Sequence, residues 1–320
     1  MGAWIAPAVR DEVVAFVDCY SALCELNAAV MLRWLQLSPR QFLRWKSRLG
    51  QANFHNAPLP RDHWITAGER DAIIAFARQN PMDGYRNLTY MMLDQNVAAV
   101  SPATVYRVLK AVGIIGDRPV LSLKKGTGFV QPLAPHEHWH VDFSFINVAG
   151  THYFWFGALD GCSRMVVAWD IRESMKVADA QIVLQRGREK YPHARPRIIS
   201  DNGAQFVAKE FRQFVRLWQA SHVFTSPYYP QSNGKIERFH RTLKEQAIRP
   251  MSPLTLDDAR RIVGRFVEHY NNVRLHSAIG YITPADKLAG RDQQLWSERK
   301  QKLETARDLR VKSRKNNDVL

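Results

Sequence analysis

Cysteine is scarce in this chain. Its 320 residues hold three, Cys19, Cys24 and Cys162. The count is odd, and there is no CxxC pair and no Cys/His zinc spacing. A disulfide framework is therefore not expected, and a reducing cytoplasm is the fitting compartment. Long hydrophobic runs are missing too: no window of about 18 uninterrupted apolar residues exists, so no membrane span is expected. The opening MGAWIAPAVRDEVVAF has no basic stretch ahead of an apolar one, so no secretory signal is expected. Acidic residues are the minority charge, with 30 Asp+Glu against 45 Lys+Arg, a formal net charge of +15 and a pI near 9.9. That excess favours a polyanionic partner through Coulomb attraction and counterion release; a solvated basic surface is the alternative.

The excess is uneven. Residues 131–234 carry 11 basic and 9 acidic side chains, whereas residues 235–320 carry 19 and 11. With 46% hydrophobic residues the chain can bury real cores, and its length implies more than one domain.

Residues 1–60 read as a helix-turn-helix domain. An apolar periodic run is followed by LSPRQFLRWKSRLG, with Ser38 as N-cap, Pro39 in the first turn and Gly50 after the end. Residues 61–116 repeat the pattern. Thr66 and Glu69 form a capping box, YRNLTYMMLDQN is a short second helix, and Ser101-Pro102 open a third. A recognition helix needs short polar and basic side chains near its start. The candidate DNA contacts are Arg40 and position 45 (Trp45) in the first unit, and Thr104, Arg107 and Lys110 in the second. Plain three-helix packing is the alternative. Residues 117–135 read as a linker, and no repeat appears beyond the paired helical units.

From residue 136 the period changes to two. HWHVDFSFI, HYFWFGALD and RMVVAWDI read as three adjacent strands. Helix, strand, helix and strand follow, which gives an α/β fold, a mixed five-stranded sheet with flanking helices over 136–290. Residues 291–320 read as a charged C-terminal helix or tail, solvated or partly disordered over the last ten residues.

Three acids stand out. Asp142 interrupts an apolar alternating strand, where an ionisable group is costly to bury without a partner. Asp201 ends the strand RPRIISD and precedes an Asn-Gly turn that exposes it. Glu237 lies in the first turn of a helix, with 35 residues between it and Asp201. Three carboxylates delivered by two strand ends and one helix can hold a pair of hard divalent cations, with Asp142 as the bridge. Taken singly, each acid also fits a structural role. Asn202, Gln231, Asn233, Lys235, Arg238, Arg241 and Lys244 flank the acids and are candidate DNA contacts, with surface solvation as the alternative. Arg274 and His276 fit substrate contact and helix-end packing equally. His136, His138 and His140 alternate toward Asp142; a polar strand edge is preferred to a zinc site. The aromatic runs Trp139, Phe143, Phe145 and Tyr153–Phe156 read as core.

The segments HVDFS, SDNGAQF and YYPQSNGKIERFHRTLK, with the 35-residue gap, resemble the D,D-35-E core of bacterial insertion-sequence transposases and retroviral integrases. HYNNVRLHSAIGYITPADKL resembles the segment that closes this core in the transposases. The resemblance covers about residues 30–290. It implies a ribonuclease-H-like fold and a DDE transposase with two Mg²⁺ ions, Mn²⁺ being a substitute. Its partners would be the element's terminal repeats and target DNA, in a nucleoid-associated homo-oligomer that is at least a dimer. Strand cleavage would expose 3′-hydroxyls that attack target DNA. The zinc module of the retroviral branch is missing here, so end recognition falls to the helix-turn-helix units. The competing reading is a domesticated DNA-binding regulator with a scaffold-only core.

Overall fold

The computed structural model describes residues 5–51, 64–116, 131–225 and 233–317. The chain separates into two compact units, at Asp62/His63. Among the described residues no helix is long and apolar enough to cross a membrane.

The first unit holds α1 (Pro7–Leu23), α2 (Ala28–Trp34) and α3 (Pro39–Lys46). The apolar run breaks between α1 and α2 because Glu25 takes a positive φ of 53° and the Asn27 side chain caps α2 by accepting from Ala29 N–H. Ser38 caps α3 by accepting from Gln41 N–H. Val14, Val17, Leu32, Phe42 and Trp45 close a small core.

The second unit opens with α4 (Ala67–Gln79), α5 (Tyr85–Asp94) and α6 (Pro102–Ala111). Thr66 and Glu69 make both bonds of the capping box, and Ser101 caps α6. Ile73, Leu88, Met92, Val105 and Leu109 fill the space between these helices.

The sheet follows, with β1 (His138–Val148), β2 (Thr151–Asp160), β3 (Val166–Arg172), β4 (Arg197–Ser200) and β5 (Ser221–Phe224), in the order β3-β2-β1-β4-β5. β1 pairs antiparallel with β2 and parallel with β4, β2 is antiparallel to β3, and β4 is parallel to β5. This is the ribonuclease-H-like arrangement the sequence led us to expect.

Helices cover both faces. On one lie α7 (Val177–Lys190), α8 (Ala204–Val207) and α9 (Lys209–Leu217), around Trp139, Val141, Phe156 and Trp218. The other carries α10 (Gly234–Leu243), a π-helical turn (Lys244–Ile248), α11 (Arg249–Met251) and α12 (Leu256–Asn272). Ile146, Trp155, Phe239, Leu243 and Tyr270 pack there. Alternation along β1 puts Asp142 on this second face, under α10.

After α13 (Pro284–Leu288), α14 (Asp292–Asn317) returns to the helical module. Arg299 grips Asp94 through Nε and Nη2 at 2.8 and 2.7 Å. Arg310 grips Glu69 at 2.9 and 2.7 Å, and Lys302 donates to the Leu93 carbonyl. Arg299 and Arg310 are buried. The expected charged C-terminal helix is present and is described as far as Asn317, with Lys312 and Ser313 exposed within its last turns. Long-range ion pairs, invisible to local composition, hold it.

Phe145 departs from the expected core: it is 56% exposed and meets Phe154 ring to ring at 5.1 Å, while Trp139, Trp155 and Phe156 are fully buried. Residues 117–130 of the expected linker lie outside the described residues.

Candidate active site

Asp142 and Asp201 come together through strand register. The last paired residues of β1 and β4 are His140 and Ile199. Asp142 and Asp201 each stand two residues further along, so the parallel pairing brings the two acids side by side. Asp201 Oδ1 accepts from Gly203 N–H at 3.0 Å, which fixes the turn after β4. Opposite Asp142 in the antiparallel register is Gly157. A Cβ there would lie 2.4 Å from the Trp155 indole, so only glycine leaves room for that ring on this face.

Glu237 reaches the same region from the first turn of α10. Asp142, Phe145, Glu237, His240, Arg241 and Lys244 line a cleft of about 430 Å³. Burial, then Asp201 and more weakly Glu237, push the Asp142 carboxyl up to about 7. Asp142 thus feels both other carboxylates, although among the described residues no three His, Cys, Asp or Glu side chains are gathered closely enough to hold a metal ion. The donor chemistry suits a hard divalent cation: oxygen ligands whose mutual repulsion a cation relieves.

His240 was not singled out from the sequence. It lies one turn beyond Glu237, is 7% exposed, and its Nδ1 stands 3.6 Å from Asp142 Oδ2, beyond hydrogen-bonding range. Burial, then Lys244, lower its pKa to about 3, so it is a neutral ring beside Asp142. Trp155 packs against it edge-on at 4.9 Å. The available signal was its i+3 spacing from Glu237. Arg249 lines the same cleft and was also missed.

The candidate DNA contacts divide. Arg241 is exposed and Lys244 half-buried, both in the acid cleft. Burial, then Arg249, lower the Lys244 pKa, against the pull of Asp142. Arg238 is exposed but lines a different cleft, on the other flank of α10. Lys235 is corrected: it turns inward and donates to the Gly161 carbonyl at 2.9 Å, and burial, then Arg164, lower its pKa to about 7. Asn233 sits in the turn that opens α10 and is buried, its amide 3.4 Å from the Val141 carbonyl. Asn202 donates to Thr225 O, tying the ends of β4 and β5. Gln231 lies outside the described residues.

In the helical units Arg40 is exposed on α3. Position 45 is corrected, because Trp45 is 8% exposed and belongs to the core, where an indole is favoured over solvent. On α6, Arg107 is exposed and folds back on the Thr104 hydroxyl at 3.2 Å, and Lys110 lies 5.9 Å over the Tyr106 ring. Thr104 is half-buried and meets the Ser101 hydroxyl at 3.1 Å.

The histidine run is corrected in part. His136 lies outside β1 with φ 65° and accepts from the Trp139 indole N–H. His140 is fully buried, its pKa lowered to about 3 by burial and then by Lys235.

Two family models described as integrase core domain match residues 132–230 and 219–284. Transposase InsD for insertion element IS2A/D/F/H/I/K of Escherichia coli is 30% identical over 226 residues, 66% of this chain and 75% of that protein. The IS2-9 form from strain K12 is equally similar, with 73% of its length covered. Among solved structures, the HTLV-2 integrase catalytic core domain in complex with magnesium matches with a TM-score of 0.41 and 17% identity. The match spans 49% of this chain and 98% of that one. The simian T-cell lymphotropic virus intasome in complex with PP2A regulatory subunit B56 gamma matches with a TM-score of 0.45 and 17% identity, over 68% and 74% of the two chains.

Proposed function

The chain belongs to the insertion-element transposases built on an integrase core, polynucleotidyl transferases of the DDE type, and from that premise we propose that it binds the ends of a DNA element and transfers them to target DNA through Asp142, Asp201 and Glu237. One observation supports the reading: three elements remote in sequence bring Asp142, Asp201 and Glu237 to one region, where burial, then Asp201 and more weakly Glu237, push the Asp142 carboxyl up to about 7.

Asp142, Asp201 and Glu237 would hold two Mg²⁺ ions, with Mn²⁺ as a substitute. Bound there, the ions supply Lewis acidity at the scissile phosphate and stabilise the attacking and leaving oxygens. The chain's own residues do the rest. β1 fixes Asp142 as the rigid reference, and α10 lowers Glu237 toward it. Neutral His240 packs beside Asp142 without adding a competing cation. Arg241 and Lys244 hold phosphate at the rim. Water would first cleave the element end, and the exposed 3′-hydroxyl would then attack target DNA. The helix-turn-helix units, through Arg40 and Arg107, would hold the ends. Two ends must meet, so the working form is at least a dimer, acting in the cytoplasm on nucleoid DNA.

The test is a strand-transfer assay with duplexes carrying the element's own flanking repeats. Joined product should form with Mg²⁺ or Mn²⁺ and vanish with EDTA. End binding without joining under either metal would instead fit a DNA-binding regulator with a scaffold-only core.

A further inference from the structure

A second cleft, of about 450 Å³, lies on the flank of α10 away from the acids. Arg164, Lys235, Arg238 and Arg274 line it together with His276, and among the described residues no Asp or Glu does. Two of these cations are engaged: Lys235 with the Gly161 carbonyl and Arg274 with Gln246. The other two are not. Among the described residues Arg238 makes no side-chain hydrogen bond or ion pair, and Arg164 Nε is buried without a hydrogen-bond partner. His276 Nε2 is in the same state.

Arg164 is unusual twice over. Its backbone sits at φ 68°, a left-handed conformation that costs an ordinary residue about 1 kcal/mol or more. Its side chain is half-buried with Nε shut away from water, and a buried donor on a charged group without a partner is costly. The nearest carboxylate, Asp160, is fully buried and already accepts from His136 N–H, Ser163 N–H and the Ser163 hydroxyl, each at 2.7 Å. An arginine held this way beside an open cavity is prepared for an anion, and its fork suits phosphate.

We propose that this cleft binds a backbone phosphate of the DNA whose reactive phosphate sits at the acid cleft, with Arg164 and Arg238 as its ligands. The proposal rests on the function proposed above. It commits to a phosphodiester rather than a free anion because α10 walls both clefts, with Glu237 and Arg241 on one flank and Arg238 and Thr242 on the other. With side chains a helix is only about 10–12 Å across, so one polyanion can occupy both flanks.

The experiment measures binding of a fluorescent duplex carrying the element end to the full-length protein in EDTA, across a salt series. Arg164→Met and Arg238→Gln should each weaken binding about tenfold and lower the salt slope by about one. Arg238→Lys should keep most of the slope. Arg164→Met should also raise the melting temperature, a sign that a merely structural arginine would not give. Unchanged affinity and slope in Arg238→Gln, an exposed position safe for folding, overturns the proposal while wild-type binding stands. If inorganic phosphate stabilises the wild type but not Arg238→Gln, and DNA affinity is equal in both, the cleft takes a free anion and the phosphodiester assignment falls. Wild-type protein that binds no DNA would overturn the function itself, a distinguishable result.

Discussion

The two flanks of α10 are mirror images in charge. On one, half-buried Asp142 lies near two further carboxylates, and burial and then those neighbours push its carboxyl up to about 7. On the other, Arg164 is half-buried in a cleft that Lys235, Arg238 and Arg274 also line, and burial lowers its guanidinium pKa. Each is an ionisable group the fold leaves without full compensation, and each lines a cavity. Elsewhere the same protein gives buried arginines a carboxylate: Arg310 meets Glu69 through two nitrogens, and Arg299 meets Asp94 the same way, with only Nη1 of Arg299 left unpartnered. The contrast is one of partner: Arg310 and Arg299 each meet a carboxylate, whereas the α10 groups each line a cavity, and the sign of their charge fits the proposed ligands, cations at the acid flank and phosphate at the basic one.

The largest expected effect is on chemistry. Asp201→Asn and Glu237→Gln should each lower Mg²⁺-dependent strand transfer on the order of 10³-fold, as when a group that stabilises transition-state charge is lost. Normal transfer by either variant would remove that residue from the site.

The next effect should have the opposite sign to the α10 sites. Arg310→Met breaks a compensated pair and should cost about 2–3 kcal/mol, discounted because Glu69 still meets water. Burial would raise the Glu69 pKa, but Arg310 and Thr66 together hold it below its ordinary 4.5. A carboxylate lowered on folding contributes stability above its unfolded pKa and loses it as pH falls through the folded value. Urea melts should therefore find the wild-type advantage over Arg310→Met whole at pH 7 and shrinking below about 4.5. An advantage constant down to pH 3 would mean the arginine acts by packing alone.

By contrast, Asp142→Asn should stabilise the metal-free protein at pH 8 by about 1–2 kcal/mol, since it removes a buried charge repelled by its neighbours. A lower melting temperature would break the comparison. The smallest effect belongs to the helical units. Arg40→Gln and Arg107→Gln should each weaken end binding a few-fold and lower its salt slope by about one. An unchanged slope would assign both helices to packing.

Much of this was legible in the sequence, because it rests on local periodicity. Alternation located β1, and capping residues located α3, α4 and α6, since Ser38, Thr66 and Ser101 bond their own helices. Asp142, Asp201 and Glu237 stood out because each breaks or ends such a pattern. What escaped depends on contacts remote along the chain. Arg310 sits 241 residues from Glu69, so α14 reads locally as a solvated charged helix. Lys235 reads as a surface cation, yet the Gly161 carbonyl, 74 residues away, draws it inward. Arg164 follows a hairpin turn, and only the return of Arg274 and His276 makes its surroundings a cavity. Phe145 kept its strand but not its burial, for its face of β1 continues past the covering helices.

The central claim is that Asp142 serves chemistry rather than folding. Its most direct test is strand transfer and end binding measured on one preparation of Asp142→Asn with Mg²⁺. The account predicts that end binding stays within about threefold of wild type, under 1 kcal/mol, and that no joined product forms. Joined product at the wild-type rate would contradict it.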